Sequence, residues 1–322
     1  MMHFIGIDLA WKMSDSPSSG VPRSACVALG QAGHICSAAL VHTDEEILSF
    51  ITQFAKEELL VRGWRWLLGA FPSFVARFAK EDLLVGIDAP LRIPTQQPRR
   101  RKVERILARL GMPAFTPNPA WLKRIFGGIR GEVLVEKLRQ LGILYQVRVN
   151  KEKPCRVVSE VYPTATLKVL YWEHSQGWTG ELLEEDEFWK KFRKISIPPY
   201  KRRCTVEAKA GNLKSNLALM EKIPGPRLRI RDILSCFSGA ENWPQNSEEI
   251  GAHLGHIRLN QLGDLLDATL AAYTVWRYWH LGEVKSCIVG TGEDGFVLLP
   301  CDSNLKRRIE LVNDPTFAVN RY

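Results

Sequence analysis

The sequence lacks most of the features that would place it outside the ordinary soluble proteins. No run among its 322 residues approaches the roughly 18 apolar residues of a membrane helix, so no membrane span is expected. The N-terminus enters a strand-like segment almost at once, without a basic stretch and apolar core, and no secretory signal peptide is expected. Cysteines number seven (Cys26, Cys36, Cys155, Cys204, Cys236, Cys287, Cys301), an odd set with no C-x-x-C pair. That argues against a zinc ribbon, gives little support to a disulfide framework, and points to reduced thiols in a cytoplasm. Neither a Gly-x-Ser-x-Gly elbow nor a Walker-type loop occurs, and Gly290-Thr-Gly292 precedes a strand rather than a helix, a poor phosphate loop. There is no solenoid-type repeat.

What is present is the composition of a globular protein, 45% hydrophobic and 25% charged, with length enough for a core that needs no staple. Net charge is +9, and it is concentrated. Arg92, Arg99, Arg100, Arg101, Lys102, Arg105, Arg109, Lys123, Arg124 and Arg130 face only Glu104 in their stretch. A second basic stretch opens with Lys201-Arg202-Arg203, and the acidic run Glu181 to Glu187 lies between the two. Clustered Arg and Lys are the footprint of a polyanion partner, although a solvated surface has the same composition.

The first 90 residues read as β-β-β-α-β. His3–Asp8 is a short apolar run of buried-strand type, and Ser24–Leu29 and Ile35–Val41 are strands joined through Gly30-Gln-Ala-Gly33. Thr43-Asp-Glu-Glu46 is a capping box before a helix carrying Ile47, Leu48, Ile51 and Phe54. A Trp-rich stretch from Glu58 to Lys80 reads as helical, and Leu83–Asp88 repeats the shape of the first strand. Residues 91–155 read as a basic helical insertion, broken at Pro90, Pro94 and Pro98, with helices near 102–110 and 131–141. Arg156–Tyr162 returns to strand character and Thr164–Trp172 to helix. Residues 173–260 read as an irregular charged insertion, Asp264–His280 as a helix, and 286–290 with 295–300 as a closing hairpin.

The chemistry is carried by acids. Asp8 and Asp88 each end a strand, after Ile-Gly-Ile and Val-Gly-Ile. If those strands are parallel neighbours, the two carboxylates meet at the carboxyl edge of the sheet, where open α/β sheets bind ligands. Two such carboxylates repel unless a cation neutralises them, and hard oxygen ligands suit Mg²⁺ or Mn²⁺. Asp264 and Asp267 lie three apart on one helical face, beside Ala268, Ala271 and Ala272, whose small side chains let a helix approach a sheet. Glu160, in an otherwise apolar strand, is costly to bury unless paired or bound to metal. Each acid also has a plain structural reading, as a cap or a solvent-facing position. His253 and His256 have helical spacing without a second ligand motif and read as a surface pair. The ten tryptophans read mostly as core or loop anchors, a few of them able to stack on bases.

The order Gly-Ile-Asp8, Gly-Ile-Asp-Ala-Pro90, Leu110-Gly111, Glu160-Val-Tyr-Pro163, Asp264-x-x-Asp-Ala268 and Asp294-Gly-Phe-Val-Leu-Leu-Pro300 resembles domain-of-unknown-function family 429. The resemblance spans nearly the whole chain and is weakest over 12–23 and 173–260. It implies a single α/β domain over 1–322 of ribonuclease H-like fold. The implied sheet is mixed and five-stranded, its first three strands antiparallel, flanked by helices, with insertions after the fourth and fifth strands. It also implies a nuclease in which Asp8, Asp88 and Asp267 hold two divalent metals, with Glu160 as an additional acid and Asp264 in reserve. Asp8 is followed by Leu-Ala-Trp-Lys where many relatives place a glycine nearby.

The expected activity is therefore phosphodiester hydrolysis by a two-metal carboxylate mechanism with Mg²⁺ or Mn²⁺. Nucleic acid would be held by Arg99, Arg100, Arg101, Lys102, Arg105, Lys201, Arg202 and Arg203, with Lys123, Arg124 and Lys209 nearer the scissile phosphate. An ATP-dependent enzyme of the actin and sugar-kinase branch is a second reading, disfavoured because Leu-Ala and Ala-Pro follow the acids where glycine-rich turns are needed. A non-catalytic nucleic-acid-binding module is a third.

Overall fold

The structure is a computed structural model, and it describes residues 2–11, 24–55, 82–94, 100–115, 118–146, 148–178, 182–201, 204–235 and 243–313. The Trp-rich helix expected over 58–80 lies outside the described residues, as do Arg99, Arg202 and Arg203.

A mixed six-stranded sheet forms the centre, with order β3-β2-β1-β4-β6-β5. Its strands are β1 (Met2–Asp8), β2 (Ser24–Gly30), β3 (Ile35–Val41), β4 (Asp82–Asp88), β5 (Leu144–Tyr145) and β6 (Arg156–Glu160). The first three are antiparallel, while β4 pairs parallel with β1 and β6 parallel with β4. The sixth strand corrects the expectation of five: β5 adds two residues to the free edge of β6, too few to carry any alternation. Central strands β1 and β4 are apolar on both faces, the pattern of a sheet covered on both sides. Between β2 and β3, Gly33 takes φ +77° and its N–H closes the turn onto the Gly30 carbonyl at 2.8 Å.

Helix α1 (Asp44–Gln53) starts at the expected capping box. Thr43 Oγ1 accepts from the Glu46 N–H at 3.1 Å, and Glu46 Oε2 accepts from the N–H groups of Thr43 and His42. The basic segment supplies α2 (Lys102–Arg109), α3 (Pro119–Phe126) and α4 (Arg130–Gln140). Helix α4 is tied to α1 by a buried ion pair, Arg130 Nε to Asp44 Oδ1 at 2.9 Å, and Arg130 also donates to the Ala10 carbonyl just past β1. After β6 comes α5 (Pro163–Ser175), with Pro163 in the first turn where its missing N–H costs nothing.

The stretch expected to be irregular holds α6 (Glu185–Phe192), α7 (Val206–Met220), α8 (Ile230–Ser235) and two short 3-10 turns. Helix α7 escapes a periodicity reading because its buried face includes polar side chains, Lys209 and Asn216 among them, while α6 and α8 span only eight and six residues. Helix α9 (Gly255–Leu281) begins nine residues before the expected Asp264. It is buried nearly all round from Leu259 onward, and lies across β1, β2 and β4. Hairpin β7 (Ser286–Thr291) and β8 (Gly295–Pro300) forms a separate two-stranded sheet, followed by α10 (Ser303–Asn313).

One face of the main sheet packs with α5, α7 and α9, and the other with α1 and α4. A third core joins α2, α5, α6, α10 and the closing hairpin. Within it Cys287 and Cys301 form a disulfide, which corrects the expectation of reduced thiols throughout. The hairpin register sets Cys287 opposite Leu299, leaving Cys301 two residues on with Cα atoms 6.1 Å apart. An odd cysteine count without close spacing hides such a pair. Among the described residues, no helix is long and apolar enough to cross a membrane.

Candidate functional site

Asp8 and Asp88 are direct register partners in the parallel pair β1/β4. Side chains alternate along a strand, so both carboxylates share a face with Gly6 and Gly86. That is the face on which α9 lies. A Cβ on Gly6 would sit 1.9 Å from the Ala268 carbonyl oxygen and 2.2 Å from the Ala272 nitrogen, and one on Gly86 2.7 Å from the Ala271 oxygen. Glycine on the strands and alanine on the helix therefore meet as two halves of one close approach. The helix half carries a signal in the sequence; the strand half does not. That contact brings Asp267 to the strand ends, where carboxylate oxygens of Asp8, Asp88 and Asp267 all lie within 4.8 Å of one another.

Two residues complete the cluster. Lys201 Nζ stands 2.7 Å from Asp8 Oδ2, 2.5 Å from Asp267 Oδ2 and 3.5 Å from Asp264 Oδ1. Tyr200 donates its hydroxyl to Asp267 Oδ1. Tyr200 has no signal in the sequence, since Pro198-Pro199-Tyr200-Lys201 sits in a segment without pattern. Lys201 corrects an expectation: composition assigns it to a basic nucleic-acid surface, yet its ammonium points into the acids.

The electrostatics record four carboxylates facing one ammonium. Burial pushes Asp8 up to about 6; Lys201 opposes the rise and Asp264 adds to it. Asp267 is likewise pushed up to about 6 by burial, with Lys201 opposing and Asp8 adding. Asp88 is held well above the usual carboxylate range by burial, then by the charges of Asp8 and Asp267. Burial works against the charge on Lys201, but Asp267, Asp8, Asp264 and Asp88 outweigh it and hold the ammonium firmly protonated. Asp264 is raised by burial, an effect that Lys201 opposes. The cluster is thus short of positive charge, and its donors are all hard oxygens, the set that Mg²⁺ or Mn²⁺ takes. Asp8, Asp88 and Asp267 fit one such cation, with Asp264 at the rim.

The other expected site residues divide. Glu160 does not join the cluster. Its register partner is Ile87, so it projects from the face opposite Asp88. There it accepts two bonds from Arg101 (Nη2 at 2.6 Å, Nη1 at 2.9 Å) and one from the Leu91 N–H at 3.0 Å. Arg101 also pairs with Glu104 and is 3% exposed, so it cannot serve as a phosphate contact on the surface. Both expectations are corrected by one fact: the uncompensated Glu160 and the surplus arginine neutralise each other. Lys209 is likewise buried, donating to Asn260 Oδ1 at 2.5 Å. Arg100, Arg105, Lys123 and Arg124 are exposed, and Lys102 is half-buried. Beside Lys123 and Arg124, the rings of Trp11, Phe115, Trp121 and Phe126 form an aromatic group in which Trp11 and Phe115 are exposed.

Compared with protein-family models, curated proteins and solved structures, the chain matches none. The family resemblance thus remains an expectation, and the case for an activity rests on the geometry of the acids.

Proposed function

We propose that this chain is a metal-dependent nuclease built on a ribonuclease H-like core. The observation that carries the reading is the meeting of Asp8, Asp88 and Asp267 at the carboxyl edge of the sheet, their oxygens within 4.8 Å of one another. The strand order supports the core: three antiparallel strands, then β4 and β6 parallel to β1.

Asp8, Asp88 and Asp267 would hold Mg²⁺ or Mn²⁺. Such a cation supplies water activation and neutralisation of the charge that develops on a phosphate. Tyr200 fixes one oxygen of Asp267 and so limits which oxygen remains to face a ligand. Lys201, on a half-exposed side chain, sits among the same oxygens and would be free to turn toward a substrate phosphate if a divalent cation took its place. Arg100, Arg105, Lys123 and Arg124 attract the phosphodiester backbone, an attraction that weakens steeply with salt. Exposed Trp11, only three residues beyond Asp8, offers a ring face to an unpaired base.

The test is a cleavage screen of labelled DNA, RNA, hybrid and junction substrates with Mg²⁺ and Mn²⁺. Wild-type protein cuts at least one class, and Asp8→Asn and Asp88→Asn each reduce the rate by two orders of magnitude or more. Equal activity in all three proteins would overturn the assignment, and tight binding with no cleavage would favour a binding module instead.

A further inference from the structure

A cavity of about 520 Å³ adjoins the acidic cluster and shares Tyr200 and Lys201 with it. Tyr162, also on its wall, is held up to about 12 by burial and then by the charge of Asp88, which ties the two regions electrostatically. At the cavity's other boundary stand the loop after α2, Gly111 to Pro113, and the face of α5 that carries Thr164 and Lys168 one turn apart.

Lys168 is the unusual member. It is only 8% exposed, yet among the described residues its Nζ donates only to the Gly111 carbonyl, at 2.9 Å, and lies 4.9 Å from the Phe192 ring. Burial alone holds its pKa below that of an ordinary lysine, and among the described residues no carboxylate charge is set against it. Arg101, Arg130 and Arg277, also deeply buried, each face an acid. Lys209 and Arg308 rest, like Lys168, on neutral oxygens, but of these three it is Lys168 that lines the cavity. A buried ammonium without a counter-charge is costly, and an anion arriving in the cavity supplies what the fold leaves out. Gly111 takes φ +70° after α2, turning its carbonyl to that ammonium, which accounts for the Leu110-Gly111 motif that the acids leave unexplained.

The rest of the wall is not that of a bare anion site. Met112, Ile195, Ile197 and Pro198 give it an apolar side. Its volume falls within the roughly 300–1,000 Å³ of small-molecule sites, more than a phosphate alone occupies. We infer that this cavity binds one nucleotide unit, with its phosphate on Lys168 and its sugar and base against the apolar wall. Its position next to the acids makes that unit the neighbour of the cleaved bond, a step that rests on the nuclease reading; the ligand class does not.

The test is calorimetric titration of the full chain, in EDTA, with adenosine 5′-monophosphate and with adenosine. The monophosphate binds at least tenfold tighter than the nucleoside in wild type. Lys168→Met loses tenfold or more for the monophosphate and little for adenosine, and Lys168→Arg recovers part of the loss. Ser196→Trp, at an exposed position on the rim, blocks both ligands without touching the core. Absence of monophosphate binding, equal affinity for the two ligands, or affinities unchanged in Ser196→Trp would each overturn the inference. Metal-free conditions separate it from the proposed activity. Monophosphate binding without cleavage of any nucleic acid keeps the pocket and rejects the nuclease, while cleavage without monophosphate binding does the reverse.

Discussion

Removing one acid from the cluster should stabilise the metal-free protein, and Asp8→Asn is the informative change. Asp8 has an ordinary value of 3.8 and is raised to about 6 in the fold, with burial as the first cause. At 1.36 kcal/mol per pH unit that is about 3 kcal/mol of preference for the protonated form in the folded state. The attraction of Lys201 is already included in that net rise, and the variant leaves Lys201 paired with Asp267 at 2.5 Å, so the ammonium keeps a counter-charge. Below the unfolded value of 3.8, Asp8 is neutral in both states and contributes no difference. Between 3.8 and about 6 the unfolded chain has lost the proton that the folded state keeps, so wild-type stability falls as pH rises across that window and levels off above it. Asn carries no charge and escapes the fall. Allowing for an amide less well hydrogen-bonded than the carboxyl, the gain at pH 7.5 is about 1–3 kcal/mol, a rise in Tm of roughly 2–6 °C.

The assay is thermal unfolding of both proteins in EDTA at pH 4, 5, 6 and 7.5. The difference in Tm between variant and wild type should be near zero at pH 4 and largest at pH 7.5. Adding Mg²⁺ or Mn²⁺ should then stabilise wild type alone, by about 2.7 kcal/mol at a hundredfold excess over Kd. A difference that stays constant across pH, or a variant less stable at pH 7.5, would refute the view that these acids repel one another and await a cation.

The packing leads to three further outcomes. Glu160→Gln removes one of the two acids on a buried guanidinium, leaving Glu104, and should cost about 1–3 kcal/mol in chemical denaturation, while leaving Mg²⁺ affinity by calorimetry unchanged; a metal-binding defect with normal stability would restore Glu160 to the site. Gly6→Ala forces a methyl group to within 1.9 Å of the Ala268 carbonyl, so α9 must withdraw; loss of at least 1–3 kcal/mol and weaker metal binding together are expected, and wild-type behaviour in both would mean the close approach is not needed. Trp11→Ala and Phe115→Ala should each weaken fluorescence-anisotropy binding of single-stranded oligonucleotide by about 1–3 kcal/mol, with duplex binding little affected, and an equal loss for duplex would point to charge rather than stacking.

How much of the molecule is legible in its sequence depends on whether a residue's partner lies within its own pattern. The strands ending in Asp8 and Asp88 announce themselves as near-identical apolar runs, and the capping box at Thr43 is written in four consecutive residues. Asp267 is legible because small residues flank it at helical spacing. Glu160 is legible as a costly buried charge, but its neutralising partner is 59 residues away in a run that looks like a basic surface. Charge counting treats every arginine in such a run alike, whereas Arg101 is buried with Glu160 and Glu104 and its neighbour Arg100 is exposed. Lys201 shows the same limit from the other side, as a lysine in a basic triplet that serves an acidic cluster.

Gly6 and Gly86 sharpen the point. Each reads as part of a strand, and each weakens a strand for its own sake. Their use appears only when α9 is laid on the sheet, because the atoms a Cβ would strike belong to Ala268, Ala271 and Ala272, far along the chain. The motif Gly-Ile-Asp is thus a compound instruction. The glycine admits the helix, the isoleucine fills the opposite face of the sheet, and the aspartate two residues after the glycine meets the acid that the helix carries in. Because all three roles are fixed by alternation along one strand, shifting the glycine by a single position would turn the acid or the opening to the wrong face. The spacing between Gly6 and Asp8, repeated at Gly86 and Asp88, is therefore what couples the packing of the core to the charge at its edge.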